Sequence, residues 1–304
     1  MSARSPTEAT ALPGPDARPA SGRRRDRPDA SPLVAGALVV PALLTIFLFF
    51  LYPLGFSVGS AFADPGGGWS LANFAKAVEL YGTDIVFTVV IVSLATAIAA
   101  LLAIAIGGYL TLGECAPAVA VLRWLYRWPL FVPFIVAGQI MRSFLAKNGL
   151  MNHGLIELGL LTPLQAQSFL DWRGVVVAFV WKQTPFVTLM VAGAMATLDR
   201  SLIEAARQLG AGRVRILIGI VVPQVRQTLL VALILSFVTM MSVLSVPVMI
   251  NAGAPTMITV DMAFRITAYG DYGVANALGC LSYLMTGVVA WIYLRHGVRG
   301  AATS

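Results

Sequence analysis

Six apolar runs, each long enough to cross a bilayer as a helix, constrain this 304-residue chain more than any other feature. A span takes roughly 20 apolar residues, and the runs fall at about 33–58, 85–112, 125–147, 173–197, 225–249 and 274–295. Backbone polar groups in lipid must be satisfied within the protein, which leaves helices or a closed barrel. Barrel strands read as short alternating segments, and none is present. The expected fold class is therefore all-α, a polytopic membrane bundle of six transmembrane helices. A mean hydropathy of +0.81 excludes the soluble alternative, since an α/β enzyme holds one or two such runs and not six.

Charge sets the orientation. A net charge of +7 would suggest nucleic acid or acidic partners in a soluble protein, but cytoplasmic loops of membrane proteins collect Lys and Arg without any such partner. With the N-terminus inside, fifteen of the 21 basic residues fall on the cytoplasmic side: six Arg in the tail, Arg123, Arg127, five between Arg200 and Arg226, and Arg295 with Arg299. Both termini are then cytoplasmic. Residues 1–32 carry six Pro and six Arg with almost no large apolar side chain, so they form a basic tail unable to bury a core. The cluster Arg23, Arg24, Arg25 and Arg27 either holds that tail inside or meets anionic headgroups. No cleavable signal is expected, because the apolar run is too long and no A-x-A site ends it. Residues 33–299 make up the transmembrane domain, and 300–304 a short cytoplasmic tail.

Proline lies within or near the ends of several spans, at Pro41, Pro53, Pro129, Pro133, Pro185 and Pro247. Each removes a helical hydrogen bond and favours a kink, and a bundle with many kinks opens and closes more readily than a straight one. In the first outer loop, Leu71, Phe74, Ala75 and Val78 recur at helical spacing after Ser70. They predict a short amphipathic helix at the outer interface, with Trp69 and Tyr81 as anchors. Cys115 and Cys280 stand far apart and His153 and His296 are isolated, so neither a metal site nor a disulfide is expected.

Charge returns where it is least expected, between the fourth and fifth spans, in "EAARQLGAGRVRILIGIVVP" at Glu204–Pro223. Asp199 or Ser201 can cap a helix there, with Glu204 in its first turn. Gly210 ends that helix in a left-handed conformation. A second short helix is expected over Arg213–Val222, and Pro223 suits the first turn of the fifth span. The result is a helix–glycine–helix element projecting into the cytoplasm over about 199–224. From charge alone, it is equally an ordinary positive loop.

The spacing is more specific than the charge. Glu204-Ala205-Ala206, three residues, Gly210, nine residues, Ile220, one residue, then Val222-Pro223 resembles the EAA signature of ATP-binding-cassette (ABC) importer permeases, which are binding-protein-dependent inner-membrane components. The one departure is Val222 where that pattern has Leu. "FLYPLGFSVGSAF" and "FVWKQTPF" are similar to the same class, and the resemblance covers about residues 33–299. It implies that the loop forms a coupling element fitting a groove of a separate cytoplasmic ATPase dimer. Ala205 and Ala206 would offer a small surface and Gly210 would set the angle. Glu204 would pair with a basic group on the ATPase or with Arg207. Arg207, Arg213 and Arg215 would meet acidic residues of the ATPase, and Ile220 and Pro223 complete the motif. It implies further a second permease subunit of a different sequence, an extracytoplasmic solute-binding protein, and a place in a bacterial plasma membrane.

The chain itself has no G-x-x-x-x-G-K-[ST] phosphate loop, so it is expected to be a transport subunit and not an enzyme, without a cofactor of its own. ATP would be used by the partner. A secondary transporter driven by an ion gradient is the alternative, although no inverted repeat is visible. Polar residues within spans mark the candidate solute pathway: Lys182, Gln183 and Thr184 beside the Pro185 kink, with Gln139, Asn251 and Asp261 as further candidates. Arg142 lies near a span end and is expected to snorkel. "NGLMNHGLIELGLL" resembles the polyamine, iron, thiamine and phosphonate branch, and the region around "NAGAPT" the sugar branch. The first is the expected substrate class and sugar the second.

Overall fold

The computed structural model describes residues 32–63, 66–250 and 253–298. Expectations for both tails and for Asn251 fall outside these residues. Two units are distinct, one ending at Pro53 and one beginning at Leu54. Among the described residues all regular structure is helical, with one isolated bridge between Ala63 and Trp69. Among the described residues five helical stretches are long and apolar enough to cross a membrane, and a pair bent by 109° makes six if it is one span.

In the first unit α1 (Pro32–Ile46) runs into a π turn at Phe47–Leu51, where the Tyr52 N–H donates to the Phe47 carbonyl. Pro53 follows. The same sequence of events recurs far along the chain, where Val222 N–H donates to the Leu217 carbonyl immediately before Pro223. Proline cannot donate to the carbonyl four residues back and its ring crowds that oxygen. A widened turn just ahead of it relieves both problems without ending the helix.

Beyond Pro53, the remainder of α2 (Tyr52–Phe62) leads by a short connection to α3 (Ala72–Leu112), the longest helix. The expected short amphipathic helix is present as the first turns of α3, set off from the rest of it by a kink at Tyr81 (φ −124°, ψ 15°). Tyr81 is half-buried, and its hydroxyl accepts a hydrogen bond from Arg265 Nε.

The third span departs most from expectation. In place of a kinked helix over 125–147, the chain forms α4 (Ala116–Leu125), a 3-10 turn at Trp128–Phe131, α5 (Phe134–Leu145) and α6 (Leu150–Glu157). Pro129 and Pro133 lie four residues apart, so successive turns both lose their donors and the helix breaks outright.

The fourth span matches closely as α7 (Trp172–Ala196), capped by Asp171, whose Oδ1 accepts from Arg173 N–H at 2.8 Å. After α8 (Arg200–Gln208) and α9 (Arg213–Ile216), α10 (Val222–Ser242) completes the fifth crossing, which runs from Arg213 to Ser242 and not from 225 to 249. Residues 245–250 are a separate helix, α11 (Ser245–Ile250). Then come α12 (Ile258–Tyr269), closed by Gly270 at φ +60°, and α13 (Tyr272–Val298), the last crossing.

The core lies where α3, α7 and α10 pack together. One apolar cluster, around Phe179, Phe237, Met240 and Met241, occupies one half of this packing. A second, around Val187, Val191, Met195 and Leu229, occupies the half nearer the 199–224 loop. Met240 and Met241 are thus packing residues. Small side chains on α3 allow the close approach: a Cβ at Gly107 would stand 3.1 Å from Met195 Sδ, and one at Gly108 2.7 Å from Leu217 Cδ1.

Candidate functional site

The 199–224 element is built as a two-faced structure. Asp199 caps α8, its Oδ1 accepting from Ser201 N–H at 2.9 Å, and that amide holds its carboxyl below the usual carboxylate range. Gly210 has φ +80°, and the Gly210 and Ala211 N–H groups return to the carbonyls of Arg207 and Ala206. These bonds satisfy carbonyls that the helix end would otherwise leave open. Nothing lies within 4 Å of a Cβ added at Gly210, so the conformation alone demands glycine and the space outside it is open.

The inner face is anchored. Ile203, Ile216 and Val221 are buried in the second apolar cluster, with Ala206, Ala211 and Ile220 packed against it. Arg207 Nη2 donates to the Leu112 carbonyl at the end of α3 at 3.1 Å, and Arg213 pairs with Glu114 at 2.6 Å. Both exposed arginines thus have partners at and just beyond the end of α3. Glu204 is exposed and, among the described residues, has no ion-pair partner, Arg207 included.

The outer face carries Ala205 and Gly210, both exposed, together with apolar side chains that spacing alone did not single out. Leu209 is 89% exposed, and Leu202, Val214 and Ile218 are also open. A signal existed: a helical wheel of 200–209 groups Ala205, Leu209 and Leu202 and turns Leu202 about 100° from Ile203, with Ala206 between the two. The second short helix is corrected. Arg213–Ile216 and the π turn Leu217–Val221 are the first turns of the fifth crossing, so motion of the loop is motion of that helix. Pro223 lies in the first turn of α10 as expected, but inside the crossing.

The candidate pathway residues separate into two places. Lys182, 7% exposed, donates from Nζ to the carbonyls of Pro129 at 2.8 Å and Leu130 at 3.0 Å, with Phe134 stacked 5.1 Å away. It thus clamps the break in the third span, and a charge inside a span finds its acceptors in backbone freed by proline. Thr184 Oγ1 donates to Val180 O, and Gln183 Nε2 is buried without a partner. Gln139 lies exposed on α5, apart from these three. Arg142 Nη1 donates to Met249 O at 3.1 Å.

At the end of the bundle opposite the loop, Lys76 and Arg265 both pair with Asp271, at 2.8 and 3.6 Å. Asp84 Oδ1 accepts from Thr256 N–H, and Thr88 Oγ1 accepts from Ile258 N–H. Asp261, on α12 outside the crossings, is buried with Oδ2 unpartnered. Burial, with the Asp84 carboxylate nearby, pushes it up to about 7 against the pull of Arg265. A carboxyl raised in the folded state favours folding while protonated. That contribution is complete below about pH 4 and is lost as pH rises through about 7. The thermal midpoint of the full chain in detergent is expected to fall from pH 6 to pH 8, and Asp261→Asn to flatten that fall. An unchanged slope in the variant would remove Asp261 as its cause.

A multi-crossing helical bundle with one anchored, outward-facing element at its end has the form of a membrane transport subunit. The family of binding-protein-dependent transport system inner membrane components matches residues 120–296. The chain belongs to that family and is a permease subunit of an ABC importer, which removes the ion-gradient alternative. It is 26% identical over 286 residues to the sulfoquinovosyl glycerol transport system permease protein of Agrobacterium fabrum, covering 86% of this chain and 90% of that one. It is 30% identical over 200 residues to the trehalose/maltose transport system permease protein of Thermococcus litoralis, covering 62% and 65%. Among solved structures, a bacterial ABC transporter involved in import of the acidic polysaccharide alginate superposes with a TM-score of 0.73 at 17% identity, covering 88% of this chain and 96% of that one. At that identity it speaks for the fold alone.

Proposed function

We propose that this chain, in a bacterial plasma membrane with both termini cytoplasmic, forms half of an inward transport pathway for a carbohydrate-type solute. The other half is a second permease of different sequence. An extracytoplasmic binding protein delivers the solute, and an ATPase dimer docks on Glu204–Pro223. The observation that carries the coupling role is the loop's two faces: Ile203 and Ile216 locked into the core, Leu202, Ala205 and Leu209 left open. Because α9 continues into the fifth crossing, a push on the loop is a push on α10.

The substrate order is the reverse of that expected from "NGLMNHGLIELGLL". Support for a carbohydrate comes from the two relatives, whose names specify a sugar-bearing glycerol and a disaccharide. Lys182 is occupied by two backbone carbonyls, which favours a solute bound by hydroxyl and amide groups over one bound by a buried cation. Identification of the ligand that co-purifies with the cognate binding protein tests this. A sugar or glycoside is expected, and a polyamine would restore the original order.

A further inference from the structure

Beside the loop, the end of α4 and the 3-10 turn after it carry two parallel rows. Arg123 and Arg127 are four residues apart, and so are Trp124 and Trp128, whose exposed rings meet at a 57° tilt with centroids 5.5 Å apart. The guanidinium row lines a cleft of about 620 Å³ with Arg200 and Arg207, bounded by Tyr126 and Glu204. Four guanidinium groups against one carboxylate leave a net three positive charges. Arg127 Nε donates to the Tyr126 hydroxyl and Arg207 to Leu112 O. Among the described residues Arg123 and Arg200 have no acceptor, and no carboxylate lies within 4.0 Å of any of the four.

Tyr126 also lines a second, apolar groove of about 390 Å³ that runs between α3 and α7 past Leu102, Ile98, Val177, Val180 and Trp181. A basic cleft and an apolar groove thus share one side chain. Indoles concentrate at the depth of lipid headgroups. Guanidinium forks match phosphate oxygens in pairs, and basic pockets between helices at that depth hold phospholipid headgroups.

We propose that this cleft and the groove on the other side of Tyr126 bind one anionic phospholipid, its phosphate between Arg123, Arg127, Arg200 and Arg207 and an acyl chain along Leu102 and Val180. The bound lipid would lie against Arg207 and α8, the loop that couples to ATP hydrolysis, and so would make that loop's position sensitive to the charge of the surrounding leaflet. The site itself does not depend on which solute is carried.

The test is native mass spectrometry of the full chain in non-ionic detergent, titrated with phosphatidylglycerol or phosphatidylcholine. Wild type is expected to retain phosphatidylglycerol at least about 25-fold better, and Arg123→Gln with Arg127→Gln to weaken that retention roughly 25-fold, about fivefold per guanidinium. Retention of phosphatidylcholine, whose phosphate is offset by its choline cation, should weaken by less. Leu102→Trp, which fills the groove and leaves the cleft intact, should also lower phosphatidylglycerol retention, so the proposal survives a failure of the arginine variant to fold. Equal retention of both lipids by wild type, or full retention by both variants, overturns it. Complete displacement of the lipid by millimolar inorganic phosphate would make this a free-phosphate site instead. Loss of ATPase co-purification by the arginine variant with lipid retention intact would make the cleft part of the docking surface, and the lipid proposal would fall.

Discussion

Leu209→Asp is expected to detach the ATPase while leaving this chain folded. The side chain is 89% exposed and touches none of the apolar clusters, so a charge there costs the isolated chain little, within about 0.5 kcal/mol. If the loop enters a groove on the ATPase, the same side chain becomes buried, and a carboxylate in its place must lose its water. Lost leucine burial alone is about 2 kcal/mol, roughly 30-fold in affinity, before the charge penalty is added. Co-purification of the ATPase and ATP-driven uptake should both fall by at least that factor, with insertion and abundance unchanged. Gly210→Val separates position from contact at the same site. Its backbone requires positive φ, which a β-branched residue resists, so the loop should distort and uptake should fail. Normal co-purification and uptake in Leu209→Asp would place the docking surface elsewhere.

Lys182→Met is expected to loosen the break in the third span. Lys182 Nζ is the donor for the Pro129 and Leu130 carbonyls, and the Met thioether offers none. Pro129 O keeps a long bond from Val132 N–H at 3.3 Å, so the larger loss falls on Leu130. An unsatisfied buried acceptor costs about 1–3 kcal/mol, offset in part because Met carries no charge to desolvate. The net expectation is a loss of about 2 kcal/mol, measured as a lower unfolding midpoint in detergent, with reduced uptake as a consequence. Lys182→Arg should keep part of the clamp. If Lys182→Met unfolds at the wild-type midpoint but transports poorly, Lys182 contacts solute and the clamp account is wrong.

Much of this was legible from residues because the causes are local. Apolar length fixed the crossings at α7 and α13 to within a few residues, and the demand for positive φ after Gln208 and Leu209 was visible in Gly210 itself. What could not be read depends on other helices. Arg207 and Arg213 find their partners, Leu112 O and Glu114, only once the end of α3 is placed beside them. Tyr81 had the composition of an interfacial anchor, and only α12 supplies the Arg265 that donates to its hydroxyl. Lys182 read as a pathway residue because its acceptors exist only where Pro129 and Pro133 break a helix 50 residues away. Arg213–Val222 read as a separate helix because Pro223 normally marks a start, whereas a π turn ahead of it lets the helix continue through it.

The central claim is that the open face of α8 is where ATP-driven motion enters this chain. A photo-crosslinking residue at Ala205, on that face, tests it most directly in the assembled transporter, with Gly154 on α6 as the control position. An adduct with the ATPase subunit from Ala205, none from Gly154, and a yield that changes when ATP is added is the predicted result. Equal yields from both positions, or no adduct from Ala205 in a complex that still transports, would contradict it.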